Sequence, residues 1–124
     1  MNLLSLQAQR QLEVFLRQAG IRHIEPAPSL HFAFSDHELF IDYRHRSLWM
    51  TVTIAAELDD DQLLTLFIRV FPGLTTQYLI RPFRTMEGAA LNTSLSDDVT
   101  SEQLVLIYRT MLRQLSPWRK RTHS

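Results

Sequence analysis

The chain has 124 residues, 45% of them hydrophobic and 21% charged, and its formal net charge is zero. This length fits a single domain with its own core, and a neutral chain has no general attraction to nucleic acid or to anionic membranes. The lack of cysteine excludes a disulfide framework, a thiolate metal site and a cysteine nucleophile. No apolar run approaches the roughly 20 residues that span a membrane, and the N-terminus has no secretory signal pattern.

The first predicted element is an amphipathic helix over residues 5–19. Its apolar side chains recur at three- and four-residue spacing, which places them on one helical face. Gly20 stands where a left-handed residue would end the helix. Pro26 and Pro28 then predict an extended connector, because proline cannot donate a ladder hydrogen bond. The apolar positions of this helix are Leu4, Ala8, Leu12, Phe15, Leu16 and Ala19.

Residues 30–56 alternate strictly between apolar and other side chains, which predicts three consecutive antiparallel strands with one face on a core. The polar runs 35–38 and 44–47 suit the two tight connections between these strands. Phe40 and Trp49 fall on the opposite face. The predicted core face carries Leu30, Phe32, Phe34, Leu39, Ile41, Tyr43, Leu48, Met50, Val52 and Ile54.

A second helix is predicted to begin at the acidic run Asp59, Asp60 and Asp61. Aspartate caps free amides and complements the positive end of a helix, so we favour capping over a metal site for these carboxylates. Pro72 and Gly73 end the helix. Its apolar stripe consists of Leu63, Leu64, Phe67, Ile68 and Phe71.

The last third of the chain predicts two strands and a closing helix. The strands cover residues 75–83 and 89–95, and Pro82 indicates an edge strand or a strand end. Thr100 and Gln103 fit a capping box at the start of the helix, which Pro117 ends. We expect one domain over residues 1–118 and a disordered basic tail over residues 119–124. The apolar face of the closing helix contains Leu104, Ile107, Tyr108, Met111, Leu112 and Leu115.

The predicted order of elements is helix, three strands, helix, two strands, helix, or α-β-β-β-α-β-β-α. This order indicates an α+β domain with an antiparallel, twisted sheet and with helices mainly on one face.

No motif in the sequence predicts catalysis. There is no G-x-S-x-G, no H-E-x-x-H and no glycine loop for phosphates, so we expect neither an enzyme nor a bound cofactor or metal. His31 and His45 flank the three-strand segment and would be a metal pair if they met across strands. Solvated turn histidines are the preferred interpretation.

The strands offer apolar side chains on both faces, more than one layer of helices can cover. Exposed apolar surface of this kind marks a partner site, unless the first and last helices shield it. A sheet edge beside aromatic residues also suits an extended peptide that adds a strand. Phe40 and Trp49 are also candidate stacking platforms for bases, which keeps a nucleic-acid-binding or regulatory α+β domain as the alternative function.

Three stretches carry a pattern of length and element order that covers nearly the whole chain. They are Leu12 to Gly20 in the first helix, Leu48 to Leu58 leading into Leu63 and Leu64, and Glu102 to Leu115 in the closing helix. Together they resemble the class I type III secretion chaperones, the group that includes the Tir chaperone family.

This resemblance implies a small cytoplasmic bacterial homodimer without catalytic activity. Such a protein binds the N-terminal region of a secreted effector in extended form, keeps it soluble and delivers it for export. In the family, the second helix and a nearby strand contribute to the dimer, and the first helix and the sheet contribute the effector grooves. By position, the dimer interface is predicted at Leu63, Leu64, Phe67, Ile68 and Phe71. Partner-binding residues are predicted at Phe15, Phe32, Phe34, Phe40 and Trp49.

Two features depart from the family pattern. Members are commonly acidic, whereas this chain is neutral with a basic C-terminal end. The second helix also ends abruptly at residues 71–73. An atypical partner, a heterodimeric chaperone subunit and a different family with the same outline therefore stay open as interpretations.

Overall fold

The computed structural model describes residues 4–22, 24–70 and 79–118. Its element order confirms the predicted α+β class, with three helices, five strands and a closing 3-10 turn. The predicted helix end at residues 72–73, the first residues of the predicted fourth strand and the basic tail lie outside the described residues. The elements are α1 (Leu6–Gln18), β1 (Ser29–Ala33), β2 (Glu38–Arg44), β3 (Ser47–Ala55), α2 (Asp60–Val70), β4 (Arg81–Arg84), β5 (Gly88–Ser96), α3 (Ser101–Leu115) and the 3-10 turn Ser116–Trp118.

The five strands form one antiparallel sheet in the order β1-β2-β3-β5-β4. The last strand, β5, has nine residues, as β3 does, and the two strands pair along their whole length. The four-residue strand β4 is thereby left at the edge. Pro82 lies in this edge strand, as predicted, where its missing N–H costs no ladder bond.

Local capping explains where the helices begin and end. The Ser5 hydroxyl accepts from the Ala8 N–H at 3.1 Å, and Gly20 follows α1 with φ of +83°. At α3, Thr100 and Gln103 form the predicted capping box. At α2, Asp59 and Gln62 make the same reciprocal pair, with distances of 2.8 and 3.0 Å. The predicted capping role of the acidic run is therefore confirmed for Asp59.

The core lies between the sheet and the layer formed by α1 and α3. The side chains predicted for the core face of β2 and β3 are all buried, and those of β1 are half-buried because β1 is an edge strand. The α2 stripe differs from the prediction. Leu66, which the predicted stripe omits, is fully buried, while Leu64 and Ile68 are exposed.

Candidate partner-binding site

Strand β1 has a backbone edge that no other described strand pairs with. The Phe34 N–H donates to the His37 carbonyl at 2.9 Å, and the Tyr43 N–H donates to the Pro28 carbonyl at 2.7 Å. Bonded pairs alternate along an antiparallel ladder, so residues 29, 31 and 33 direct their N–H and C=O groups away from β2. No hydrogen bond within the described ranges occupies these groups. The edge can therefore pair with one more strand.

Three of the five predicted partner-binding residues lie near this edge. Phe32 and Phe34 are half-buried and pack against the core, so part of each ring remains open. Phe15 is fully buried, with its ring edge-on to Tyr108 at a centroid distance of 5.7 Å. Phe15 therefore packs under the partner-binding surface and contributes no solvent-exposed area to it. The assignment of these residues to partner binding stays a prediction.

The other two predicted residues lie on the sheet face that no described helix covers. The ring of Phe40 stacks on His31 at 4.2 Å between centroids, and the guanidinium of Arg44 lies over the Trp49 ring at 5.0 Å. Each ring is half-buried and has one face covered by a neighbour from its own sheet. The free apolar area on this face is consequently smaller than the alternation suggests, which also weakens a base-stacking role.

His37 is the main residue that the sequence analysis missed. The preferred interpretation of solvated turn histidines is wrong for it, because it is only 9% exposed. Its Nε2 lies 2.6 Å from the Tyr108 hydroxyl and its Nδ1 lies 2.6 Å from an Asp36 carboxylate oxygen. The period-two alternation could have predicted this burial, because residue 37 lies an even number of positions before the core residues 39, 41 and 43 and so falls on their face.

The alternative of a metal pair formed by His31 and His45 is also wrong. His31 lies opposite Phe40, whereas His45 belongs to the β2–β3 turn, five residues further along. At a rise of about 3.4 Å per residue this separates them by roughly 17 Å along the sheet. Within the described ranges, no group of three or more His, Cys, Asp or Glu side chains could hold a metal ion.

A pocket of about 480 Å3 lies where the β1–β2 turn, the end of β3 and the β4–β5 turn meet. Phe34 and Phe40 contribute aromatic walls, and Asp36, Glu38 and Glu87 contribute carboxylates. Among the described residues that line it there is neither lysine nor arginine. An apolar wall with a carboxylate rim suits the stem and the charged end of a long basic side chain.

Helix α2 carries apolar side chains on the surface. Leu64 is 58% exposed and Ile68 is 66% exposed, one helical turn apart, and Leu63 beside them is half-buried. The Phe67 side chain and Phe71 lie outside the described residues. The predicted dimer interface thus includes two large apolar side chains without cover from the described part of the chain.

The backbone resembles that of SycH, a type III secretion chaperone of Yersinia pestis, with a TM-score of 0.65 and 15% sequence identity. The match covers 90% of this chain and 98% of the SycH chain, and that crystal structure holds SycH in complex with a stable fragment of YscM2. At this identity the likeness establishes a type III secretion chaperone-like fold. Among the described helices, none is long and apolar enough to cross a membrane.

The family is defined more narrowly by sequence. The SsaM family model matches residues 5–117, and the chain therefore belongs to the SsaM family. YbjN from E. coli is also similar, with a TM-score of 0.49, 17% identity and coverage of 87% of this chain and 85% of that chain, a likeness too low to carry an argument. No curated protein sequence matches the chain significantly.

Proposed function

We propose that this protein is a cytoplasmic type III secretion chaperone that binds a secreted client in extended form, keeps it soluble and delivers it for export. The main support is the chaperone-like fold, which matches nearly the whole SycH chain. The unpaired edge of β1 and the exposed apolar side chains of α2 supply two surfaces that such a role requires. The proposal includes no catalytic step and no cofactor.

Client capture in this proposal begins with strand addition at β1. An extended client segment donates to and accepts from the outward backbone groups of residues 29, 31 and 33, which gives affinity without dependence on sequence. Alternate client side chains then lie beside the half-buried rings of Phe32 and Phe34. Burial of this apolar surface contributes about 25 cal/mol per Å2, which keeps the client from burying the same surface against other copies of itself.

The outer face of α2 forms the dimer interface in this proposal. Two large aliphatic side chains that are more than half exposed favour association, because burying them removes apolar surface from water. A second copy of the chain is the expected occupant, and a different chaperone subunit is the alternative. The substitution Ile68→Asp should convert the dimer to a monomer with unchanged secondary structure, measured by sedimentation and circular dichroism. A dimer that survives this change would move the interface elsewhere.

The deciding experiment combines a native mass spectrum of the protein from its source cells with an export assay. The expected mass is that of two chains plus one unrelated polypeptide. Deleting the gene for the chaperone should make that polypeptide insoluble in the cytoplasm and abolish its secretion. A bare monomer, or a co-purified protein whose solubility and secretion do not change, would refute the proposal. A mass with one copy of this chain and a different small subunit would identify a heterodimer.

Side-chain contacts on the open face provide a finer test. Trp49→Ala should weaken client binding about tenfold while the unfolding midpoint changes little, since Trp49 lies outside the core cluster. Met50→Ala is the matched control at the next position, where the side chain is 1% exposed in the core. It should lower stability instead. If Trp49→Ala unfolds the protein as Met50→Ala does, Trp49 is structural.

A further inference from the structure

A buried hydrogen bond connects the β1–β2 turn to α3. It joins Nε2 of His37 to the hydroxyl of Tyr108 at 2.6 Å, across 71 residues of sequence. Both side chains belong to the interior, because His37 is 9% exposed and Tyr108 is 8% exposed. The bond joins a residue of the turn directly to a residue of the helical layer, so a change in it should be felt at the turn.

The donor and acceptor roles in this contact follow from its second partner. An ionised Asp36 carboxylate can only accept, so Nδ1 of His37 donates to it at 2.6 Å. In the neutral ring Nε2 is then the acceptor, and the Tyr108 hydroxyl is the donor. Removing that hydroxyl takes from the buried His37 ring the hydrogen-bond partner that Nε2 has on α3, which favours displacement of the turn toward water.

The histidine is coupled directly to the exposed edge. Its ring stacks on Phe34 with centroids 4.6 Å apart and planes within 12° of each other. Its carbonyl also accepts the Phe34 N–H, the bond that closes the β1–β2 hairpin. Phe34 directly follows β1, so any shift of His37 is passed to the strand whose edge is unpaired. Tyr108 in turn packs against Phe15 of α1, which anchors the whole contact in the helical layer.

We infer that His37 and Tyr108 are positioning residues that hold the edge of β1 in the extended geometry needed for strand addition. The inference deepens the proposed function, on which it rests, by naming the helix contact that controls the client-binding edge. Weakly held edges of a fold open locally at a low free-energy cost, and only the extended conformer of β1 can pair with a client strand. Fixing the turn from α3 raises the population of that conformer and therefore the apparent affinity for an extended segment.

The test compares Tyr108→Phe with Thr110→Val in the full chain. Thr110 is the matched control because its buried hydroxyl, two residues further along α3, donates at 2.7 Å to the Leu106 carbonyl of the same helix. Amide hydrogen exchange is measured first, without any client. Tyr108→Phe should accelerate exchange at residues 30, 32 and 34 at least tenfold, and Thr110→Val should leave these three amides within twofold of the wild type. Equal exchange in the two variants would overturn the inference.

The second measurement is affinity for the polypeptide found in the native mass spectrum, made recombinantly and titrated by calorimetry. At equal fractions of folded protein, Tyr108→Phe should weaken binding five- to tenfold and Thr110→Val should not. His37→Gln supplies an amide oxygen as acceptor for Tyr108 and should recover part of the affinity that His37→Ala loses. Unchanged affinity in Tyr108→Phe would refute the positioning role. A wild-type chain that binds no polypeptide, but whose β1 exchange responds to Tyr108→Phe, would refute the proposed function and leave the contact between α3 and β1 established.

Discussion

Helices α2 and α3 share a type of cap and an apolar stripe but have different surroundings. Each begins with a reciprocal cap and carries an apolar stripe at helical spacing. α3 lies against α1 and β3 and buries six side chains, whereas α2 contacts β4 and α3 and leaves Leu64 and Ile68 exposed. Helical periodicity therefore indicates an apolar face but does not indicate whether the same chain covers that face.

The largest expected effect is on the free energy of unfolding, which should respond to a change in the apolar stripe of α3 and hardly at all to one in the stripe of α2. Ile107→Ala in α3 should lower the free energy of unfolding by about 2–5 kcal/mol, because it leaves a cavity at a fully buried position. Ile68→Ala in α2 should stay within about 0.5 kcal/mol in the monomer, since the side chain is mostly in water. Urea unfolding at concentrations below dimer formation measures both values. Similar losses would mean that the α2 stripe is part of the intramolecular core.

A close backbone approach between the start of β5 and the end of β3 is expected to have the next largest effect. A Cβ on Gly88 would lie 2.1 Å from the Ile54 carbonyl oxygen and 2.6 Å from the Ala56 nitrogen, so β5 cannot hold its position beside β3. Gly88→Ala should therefore cost about 1–3 kcal/mol in urea unfolding. Gly20→Ala is the control, because its Cβ meets nothing within 4 Å and its cost of about 1 kcal/mol comes from the positive φ alone. A smaller loss at Gly88 than at Gly20 would contradict the steric argument.

Loss of the α3 cap should destabilise the whole fold, whereas loss of the α2 cap should destabilise mainly that helix. Thr100→Ala and Asp59→Ala each remove a side-chain acceptor, at a cost of about 1 kcal/mol per cap. At α3 the loss should lower the global unfolding free energy, because that helix forms part of the core. At α2 it should appear mainly as faster amide exchange within the helix. Hydrogen exchange followed along both helices distinguishes the cases, and global destabilisation by Asp59→Ala would contradict the comparison.

The smallest expected effect on the free energy of unfolding concerns the turn between β2 and β3. His45 and Arg46 connect β2 to β3 with φ of +51° and +61°, a geometry that favours glycine. Arg46→Gly should raise stability by about 0.5–1 kcal/mol and shift the unfolding of both regions together. Arg46→Ala removes the same charge but keeps the backbone cost, so thermal unfolding should show no gain for it. Equal gains from the two changes would assign the effect to charge.

The element order, the core face of β2 and β3, and the caps at Asp59 and Thr100 could all be predicted from the amino-acid sequence, whereas the Ser5 cap was seen only in the structure. These features depend on short-range physics, since period-two alternation and capping residues act within a few positions of the chain. Three features became known only from the tertiary structure. Strand β5 lies between β3 and β4, His37 is buried against Tyr108, and Leu66 is buried where Leu64 is exposed. Each of these depends on contacts between distant segments, whose free energy comes from packing that no local pattern records.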